Sequence, residues 1–385
     1  MKPMWKIYAL AIISFLIGTS QFVISGFLDQ IATTMGVSVA NAGQFITVYS
    51  LTYAIATPIL ITLTVSIDRR KLILWSLAVF IFGNLLSYFF PSYGCFILSR
   101  MIVALGAGMV IVTTLTIATK IAPAGKQASS IAAVTTGFTT ALILGVPIGR
   151  LLSFAFGWRS VFLDIALFGV LATLVIIAVV PNVKGDDPVS LLEQLALLKN
   201  PNVLTGLIIT LFWLSGYAIV FTYISPYLLQ GLRLPEGLLS PALFVFGIAC
   251  LVGTTIGGYC ADRFGITATL LIGMGINGVS LTLLSLSTGS PVFLFISLFI
   301  WSASVWSSQP TQQYNLVTLS PSQSGIMLSL NQSASQLAMA IGAAVGGITI
   351  SKFSLHSITW FGTVGVAAAM ILVWGLHHMR IQHAD

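Results

Sequence analysis

Acidic residues are scarce in this chain. Nine Asp and Glu stand against sixteen Lys and Arg, and charged residues together make up 6% of the 385 positions. Soluble domains carry about 25%, so a fold bathed in water on every side is excluded. Cysteine is equally sparse. Of the three, Cys250 and Cys260 lie ten residues apart on one expected helix, about 15 Å at 1.5 Å per residue, too far to bridge, and Cys95 stands alone. No disulfide framework or Cys/His zinc spacing is present, so no metal or other cofactor is expected. The four histidines (His356, His377, His378 and His383) sit at or beyond the ends of the last apolar run. No serine or cysteine therefore gains a histidine at depth, and a nucleophilic enzyme is not expected. No GxxxxGK[ST] stretch occurs, so ATP drive would need another subunit.

What the chain has instead is apolar length. It is 57% hydrophobic with a mean hydropathy of +1.02. A bilayer-crossing helix needs about 20 mostly apolar residues, and runs of that length occur at 5–28, 42–66, 71–90, 95–118, 128–150, 159–181, 202–227, 239–260, 266–288, 291–313, 323–350 and 356–377. The first run is too long for a signal-peptide core and lacks a small-x-small cleavage site. The expected architecture is an all-α membrane protein. Its domains are a six-helix half over 1–181, a polar linker over 182–201, and a second six-helix half over 202–385. With the N-terminus inside, eleven basic residues (Lys2, Lys6, Arg69, Arg70, Lys71, Lys120, Lys126, Lys184, Lys199, Arg263 and Arg380) are cytoplasmic. Arg150, Arg159, Arg233 and Lys352 fall outside. That bias obeys the positive-inside rule, so the formal charge of +7 reports topology and not a nucleic-acid surface. A multi-pass protein of a plasma membrane is expected, with both termini cytoplasmic.

Two motifs recur across the midpoint. "SIDRRK" follows the second run and "GGYCADRFG" the eighth, with Asp68 and Asp262 194 residues apart. "GVPIG" lies in the fifth and "GAAVGG" in the eleventh, with Gly145 and Gly342 197 apart. Nearly one offset for unrelated motifs points to parallel repeats, the architecture of major facilitator transporters.

The resemblance extends along almost the whole chain. "GTSQFVISGFLDQIATTMGVSVANAGQFITVYSLTYAIATPIL", "DRRKLIL", "IAPAGKQASSIAAVTTG", "LGVPIGRLLSFAFGWRSVF", "FTYISPYL" and "FGIACLVGTTIGGYCADR" resemble, in order, bacterial drug-proton antiporters of the group that includes arabinose-type sugar and purine efflux permeases. That likeness implies a bacterial plasma-membrane carrier, acting as a monomer, that exports a small molecule in exchange for protons. It implies gating roles for Asp68, Arg69, Gly258, Asp262 and Arg263 in the loop motifs, and for Gly145, Pro147 and Gly149 in the fifth span. Thr64 stands where the first gate motif of the family begins with Gly. Gln21 stands where the resembling permeases usually carry a glutamate.

The interior has few charges. Arg100 is alone between Lys71 and Lys120, and a guanidinium at a helix centre costs roughly 2.5–3.5 kcal/mol on insertion scales. Counting from the same membrane face places Gln21 and Asp164 at its depth. Arg100, Asp164 and Gln21 are therefore the candidate proton-coupling cluster, Asp164 being the acid. The alternatives are a static Arg100–Asp164 pair, or Arg100 bonded to carbonyls and snorkelling outward. Trp213, Tyr217, Phe221, Tyr223, Trp301, Gln309, Gln313, Asn331 and Gln336, with Trp306 and Gln332 beside them, are the candidate solute-binding residues. Rings stack on flat solutes, and amides both donate and accept hydrogen bonds. With no acid in the second half's spans, a neutral or weakly polar solute such as a sugar, nucleoside or drug is expected. A uniporter, channel or sensor without proton coupling is the alternative.

Overall fold

A backbone in hydrocarbon has no water to bond, so each crossing segment must satisfy its own N–H and C=O groups, which a helix does. The computed structural model describes residues 4–90, 92–122, 127–185, 196–287, 289–320 and 324–382, and among them it is helical with no strand. The helices are α1 (Met4–Gly26), α2 (Leu28–Met35), α3 (Val39–Leu63), α4 (Arg69–Phe89), α5 (Tyr93–Ile121), α6 (Gln127–Thr140), α7 (Val146–Phe156) and α8 (Trp158–Val179). They continue with α9 (Pro201–Phe221), α10 (Leu239–Phe264), α11 (Ile266–Ser285), α12 (Pro291–Leu319), α13 (Ser324–Lys352) and α14 (Ile358–Gln382). Twelve segments are long and apolar enough to cross a membrane, α6 and α7 forming one of them. They coincide with the twelve apolar runs to within a few residues, except where the fifth and tenth continue to Phe156 and Leu319. The seventh is shorter than its run. It stops at Phe221, and the chain turns through a short helix, Ile224–Pro226, and a π-turn, Tyr227–Gly231.

Caps set several helix starts. The Asp68 carboxylate accepts from the amides of Arg70 and Lys71 at the head of α4. Ser92 and Ser290 do the same for α5 and α12, and Asn200 caps α9 just ahead of Pro201. Side-chain oxygens at these positions satisfy amides that a helix leaves unbonded.

The chain forms two compact units. The first comprises residues 1–37 and 48–190, the second 38–47 and 191–385. Much of the expected linker, residues 186–195, lies outside the described residues, as do Lys2 and Lys126. Residues 38–47 group with the second unit because of one close approach. A Cβ on Gly43 would collide with the Tyr223 hydroxyl, and one on Gly347 would crowd the Ala40 carbonyl.

Within the first unit, α1 packs along α6 and α7 at backbone distance. A Cβ on Gly137 would strike the Ala11 carbonyl; on Gly145 it would strike Thr19, and on Gly149 Val23. Between them, Gly18 of α1 faces the carbonyl of Phe138 and Ala141. Small residues let membrane helices gain packing that lipid alone does not drive. The same kind of serine bridge occurs in each unit: Ser87 and Ser99 join α4 to α5 at 2.8 Å, and Ser287, just past α11, donates to Ser297 of α12 at 3.2 Å.

The seam makes a comparison of two alanines informative. Gly137→Ala forces a methyl into the Ala11 carbonyl, an overpacking that costs about 1–3 kcal/mol. Gly94 has open space around it, so Gly94→Ala gains roughly 0.5–1 kcal/mol of helix propensity. Melting of the purified protein should therefore fall for Gly137→Ala and hold or rise for Gly94→Ala.

Candidate functional site

Arg100 is fully buried in α5, and none of its three nitrogens has a hydrogen-bond partner. Its guanidinium carbon instead lies 5.3 Å from the ring centre of Tyr49, 5.3 Å from Phe162 and 5.9 Å from Phe96. Phe96 sits one turn before Arg100 on α5, Tyr49 comes from α3 and Phe162 from α8. Trp158 packs edge-on against both Phe96 and Phe162. A desolvated cation–π contact is worth up to about 2 kcal/mol. Three of them match the insertion cost of the guanidinium, which explains how it stays inside without an anion. They do not use its N–H groups.

The expected pairing of Arg100 with Gln21 and Asp164 is not formed. Asp164 does lie at the right depth on α8, two residues from Phe162. Two residues are also about 200° around a helix, so with Phe162 against Arg100, Asp164 is carried to the other side and is half-buried there. Gln21 is buried on α1, but it accepts nothing from Arg100.

The acid that does find an arginine is Asp29. Arg150 Nη1 donates to both its carboxylate oxygens, at 2.8 and 2.9 Å; Arg150 is buried and Asp29 is partly exposed. The sequence places Arg150 on the outer side with no partner in view. It hides the pair because the partners are 121 residues apart and meet through the α1–α7 seam. Gly149, next to Arg150, packs on Val23 and Phe27, which brings α7 close enough for the bond.

The aromatic candidates of the second unit converge. Tyr217 stacks on Phe221 at 5.0 Å and 16°, and lies 5.8 Å from Trp301 and 6.2 Å from Trp306. Phe246 of α10, which the sequence did not single out, joins them at 5.3 Å from Trp301 and 5.5 Å from Phe221. Nothing but its placement distinguishes it from other apolar residues of that span. Trp213 lies one turn before Tyr217 and is fully buried. Tyr223 belongs elsewhere. Its hydroxyl donates to the Ala343 carbonyl at 2.7 Å, and its ring fills the space beside Gly346.

The amides divide into two sets. Asn331 accepts from Thr210, which also accepts from Gln312, and Asn315 donates to Gln312. These groups hold α9, α12 and α13 together, and Gln312 and Asn315 escaped notice because their polarity was credited to Gln309 and Gln313. Gln336 is buried on α13. Gln309, Gln313 and Gln332 are half-buried, and Gln309 and Gln313 lie on the same face of α12 as Trp306.

The two loop motifs differ in form. In the first, Asp68 caps α4, Arg69 bonds the Val65 carbonyl, and Arg70 reaches Asn182 and the Ile177 carbonyl of α8. In the second, Asp262 is exposed and Arg263 bonds the Tyr259 hydroxyl on its own helix. Gly258 has nothing near it, whereas a Cβ on Gly257 would collide with the Ser307 carbonyl. The packing need in that motif therefore falls on Gly257. Pro147, in the fifth span, is buried just after a π-turn over Ala141–Gly145.

Residues 10–253 and 237–380 match the family model of the Major Facilitator Superfamily. The chain belongs to this superfamily. It is 53% identical over 371 residues to the MFS-type transporter YbcL of Bacillus subtilis (strain 168), covering 96% of this chain and 95% of that one. It is 30% identical to the inner membrane transport protein YdhP of Escherichia coli (strain K12), covering 97% and 96%. A bacterial homologue of the human lysosomal transporter Spinster, solved inward-facing and unoccupied, shares the fold with a TM-score of 0.71 over 97% of this chain and 94% of that one, at 16% identity. This chain is accordingly an MFS-type transporter and not an enzyme, a multi-pass protein that sits in the bilayer and takes a small-molecule substrate.

The ion pair yields a sharp expectation for this transporter. Removing one partner of a fully buried pair costs about 3–5 kcal/mol, because the other charge is left alone, and the partial exposure of Asp29 puts this pair at or below the lower end. Arg150→Leu should therefore destabilise the protein, and adding Asp29→Asn should recover much of the loss. Melting of the single and double variants checks it.

Proposed function

We propose that this transporter exports a small neutral or weakly polar solute by alternating access, in exchange for protons, as a monomer in a bacterial plasma membrane with both termini cytoplasmic. The observation that carries the reading is the caged Arg100. A guanidinium held in a membrane helix with unused N–H groups is a group whose partner arrives in another state of the cycle. The resemblance to drug-proton antiporters related to sugar and purine efflux permeases supplies the direction and the proton. The distribution of basic residues supplies the orientation. A ring cluster whose spans carry carboxylates only at exposed ends, Glu236 and Asp262 among the described residues, supports a solute without a strong positive charge.

Asp164, Asp29 and Asp68 are the carboxylates within or at the ends of the first unit's spans among the described residues. In our reading Arg100 is the hub, Gln21 its neutral neighbour at the family's acid position, and Asp164 the proton carrier, reached when α8 turns. Asp68, Arg69, Gly258, Asp262 and Arg263 act in gating, with Gly145, Pro147 and Gly149 on the moving fifth span. The absence of any carboxylate bonded to Arg100 favours a second reading, facilitated uniport without protons.

Flux of radiolabelled uridine and arabinose into proteoliposomes under an imposed pH gradient separates the two. Antiport requires gradient-driven accumulation that Arg100→Ala abolishes. Asp164→Asn should keep solute exchange and lose the acceleration by the gradient. Uphill transport with an unchanged pH profile in Asp164→Asn would make Asp164 structural, leaving Asp29 or Asp68 as the coupling acid or a carrier not driven by protons. Counterflow with no response to the gradient would establish the uniporter.

A further inference from the structure

We propose that the aromatic face of the second unit binds a flat, uncharged molecule bearing hydrogen-bond-accepting oxygen, a conjugated lactone, quinone or nitroaromatic in chemical class. This narrows the solute of the reading above and rests on it for the direction of travel alone.

Four buried polar atoms of the cluster have no hydrogen-bond partner: Trp213 Nε1, Tyr217 Oη, Trp301 Nε1 and Trp306 Nε1. An indole N–H can donate and cannot accept, so three of the four are donors outright. Leaving such a group buried and unbonded costs about 1–3 kcal/mol. Tyr217 touches the rings of both Trp301 and Trp306, so three of the four belong to one packed group. Trp306, Gln309 and Gln313 follow at i, i+3 and i+7 on α12 and are all half-buried. Gln309 and Gln313 have no partner among the described residues. The ring cluster therefore runs into two unused amides on one helix face.

This inventory discriminates among ligands. A cation would need ring faces or a carboxylate. The faces of Tyr217, Phe221 and Phe246 are stacked on one another, and the unit's described carboxylates, Glu236 and Asp262, are exposed. What the site offers is N–H and O–H edges, which repel positive charge. A sugar brings many hydroxyl hydrogens and would find few acceptors. A flat ring with a carbonyl or nitro oxygen accepts from the indole N–H groups and lies along half-buried Trp306, which meets Tyr217 edge-on rather than stacked.

Equilibrium dialysis of the full chain in nanodiscs, against empty nanodiscs, tests the class with three probes of small size. These are coumarin (flat, uncharged, a lactone), N-methylquinolinium (flat and cationic) and arabinose. Coumarin should bind at least tenfold tighter than the other two. Trp306→Phe and Tyr217→Phe keep the rings and remove one donor each, and each should weaken coumarin about fivefold, the worth of one net hydrogen bond. Melting of the two variants should not fall below that of the parent, since each loses a buried donor left without a partner. No coumarin binding, equal binding of N-methylquinolinium or arabinose, or coumarin binding indifferent to both substitutions would each overturn the proposal. Binding is measured without flux, so coumarin bound at these residues with no gradient-driven movement in proteoliposomes would sink the transport reading and leave the ligand class standing.

Discussion

The lack of water in the bilayer core governs this molecule. It selects helices, and then it acts on every polar side chain those helices carry. Most hydroxyls in the spans bend back to a carbonyl one turn earlier: Thr62 to Pro58, Ser76 to Leu72, Thr116 to Val112, Thr173 to Gly169 and Thr254 to Cys250. Such bonds are local and need no neighbour. Polar groups that escape this economy include the guanidinium of Arg100, the indole and phenol edges around Tyr217, both amide atoms of Asn277, and the hydroxyls of Ser14, Thr57, Thr114 and Thr222.

The two units solve the same constraint differently. Their serine bridges correspond, Ser99 answering to Ser297. The residue after Ser99 is Arg100, and the residue after Ser297 is Leu298, fully buried and apolar. Asn84 is bonded by Ser20 and bonds Phe80, whereas Asn277, 193 residues later, bonds nothing through its side chain. The first unit holds a charge and an ion pair, and the second holds rings and amides. The packing is shared and the chemistry diverges.

Much of the fold could be read from the chain because hydropathy over 20 residues depends on no partner. The twelve spans came out nearly in place, and Arg100 was visible as a cost. Depth was legible too, since it is a count along a helix. Direction around the helix was not. Asp164 has the depth of Arg100 and the wrong azimuth, and only Phe162 against the guanidinium reveals it. The Asp29–Arg150 pair was hidden for a related reason, because it depends on glycines that bring two distant helices together. Phe246 carried no signal at all, being one aromatic in an apolar span.

The π-turn at Ala141–Gly145 has a consequence for the whole fifth span. Gly137 and Gly145 are eight residues apart, which in a regular helix would leave them about 80° out of line. One looped-out residue brings that to about 20°, so both face α1. The extra residue is thus a phase correction between two stretches of one seam. Loss of a residue from a membrane helix ordinarily rotates everything beyond it by about 100°. Here the chain carries a built-in spare. A single deletion within 141–145 would close the turn into plain helix and leave Gly137, Gly149 and Arg150 facing their partners. A span fitted at backbone distance to its neighbour is therefore also one with a place where chain length can change.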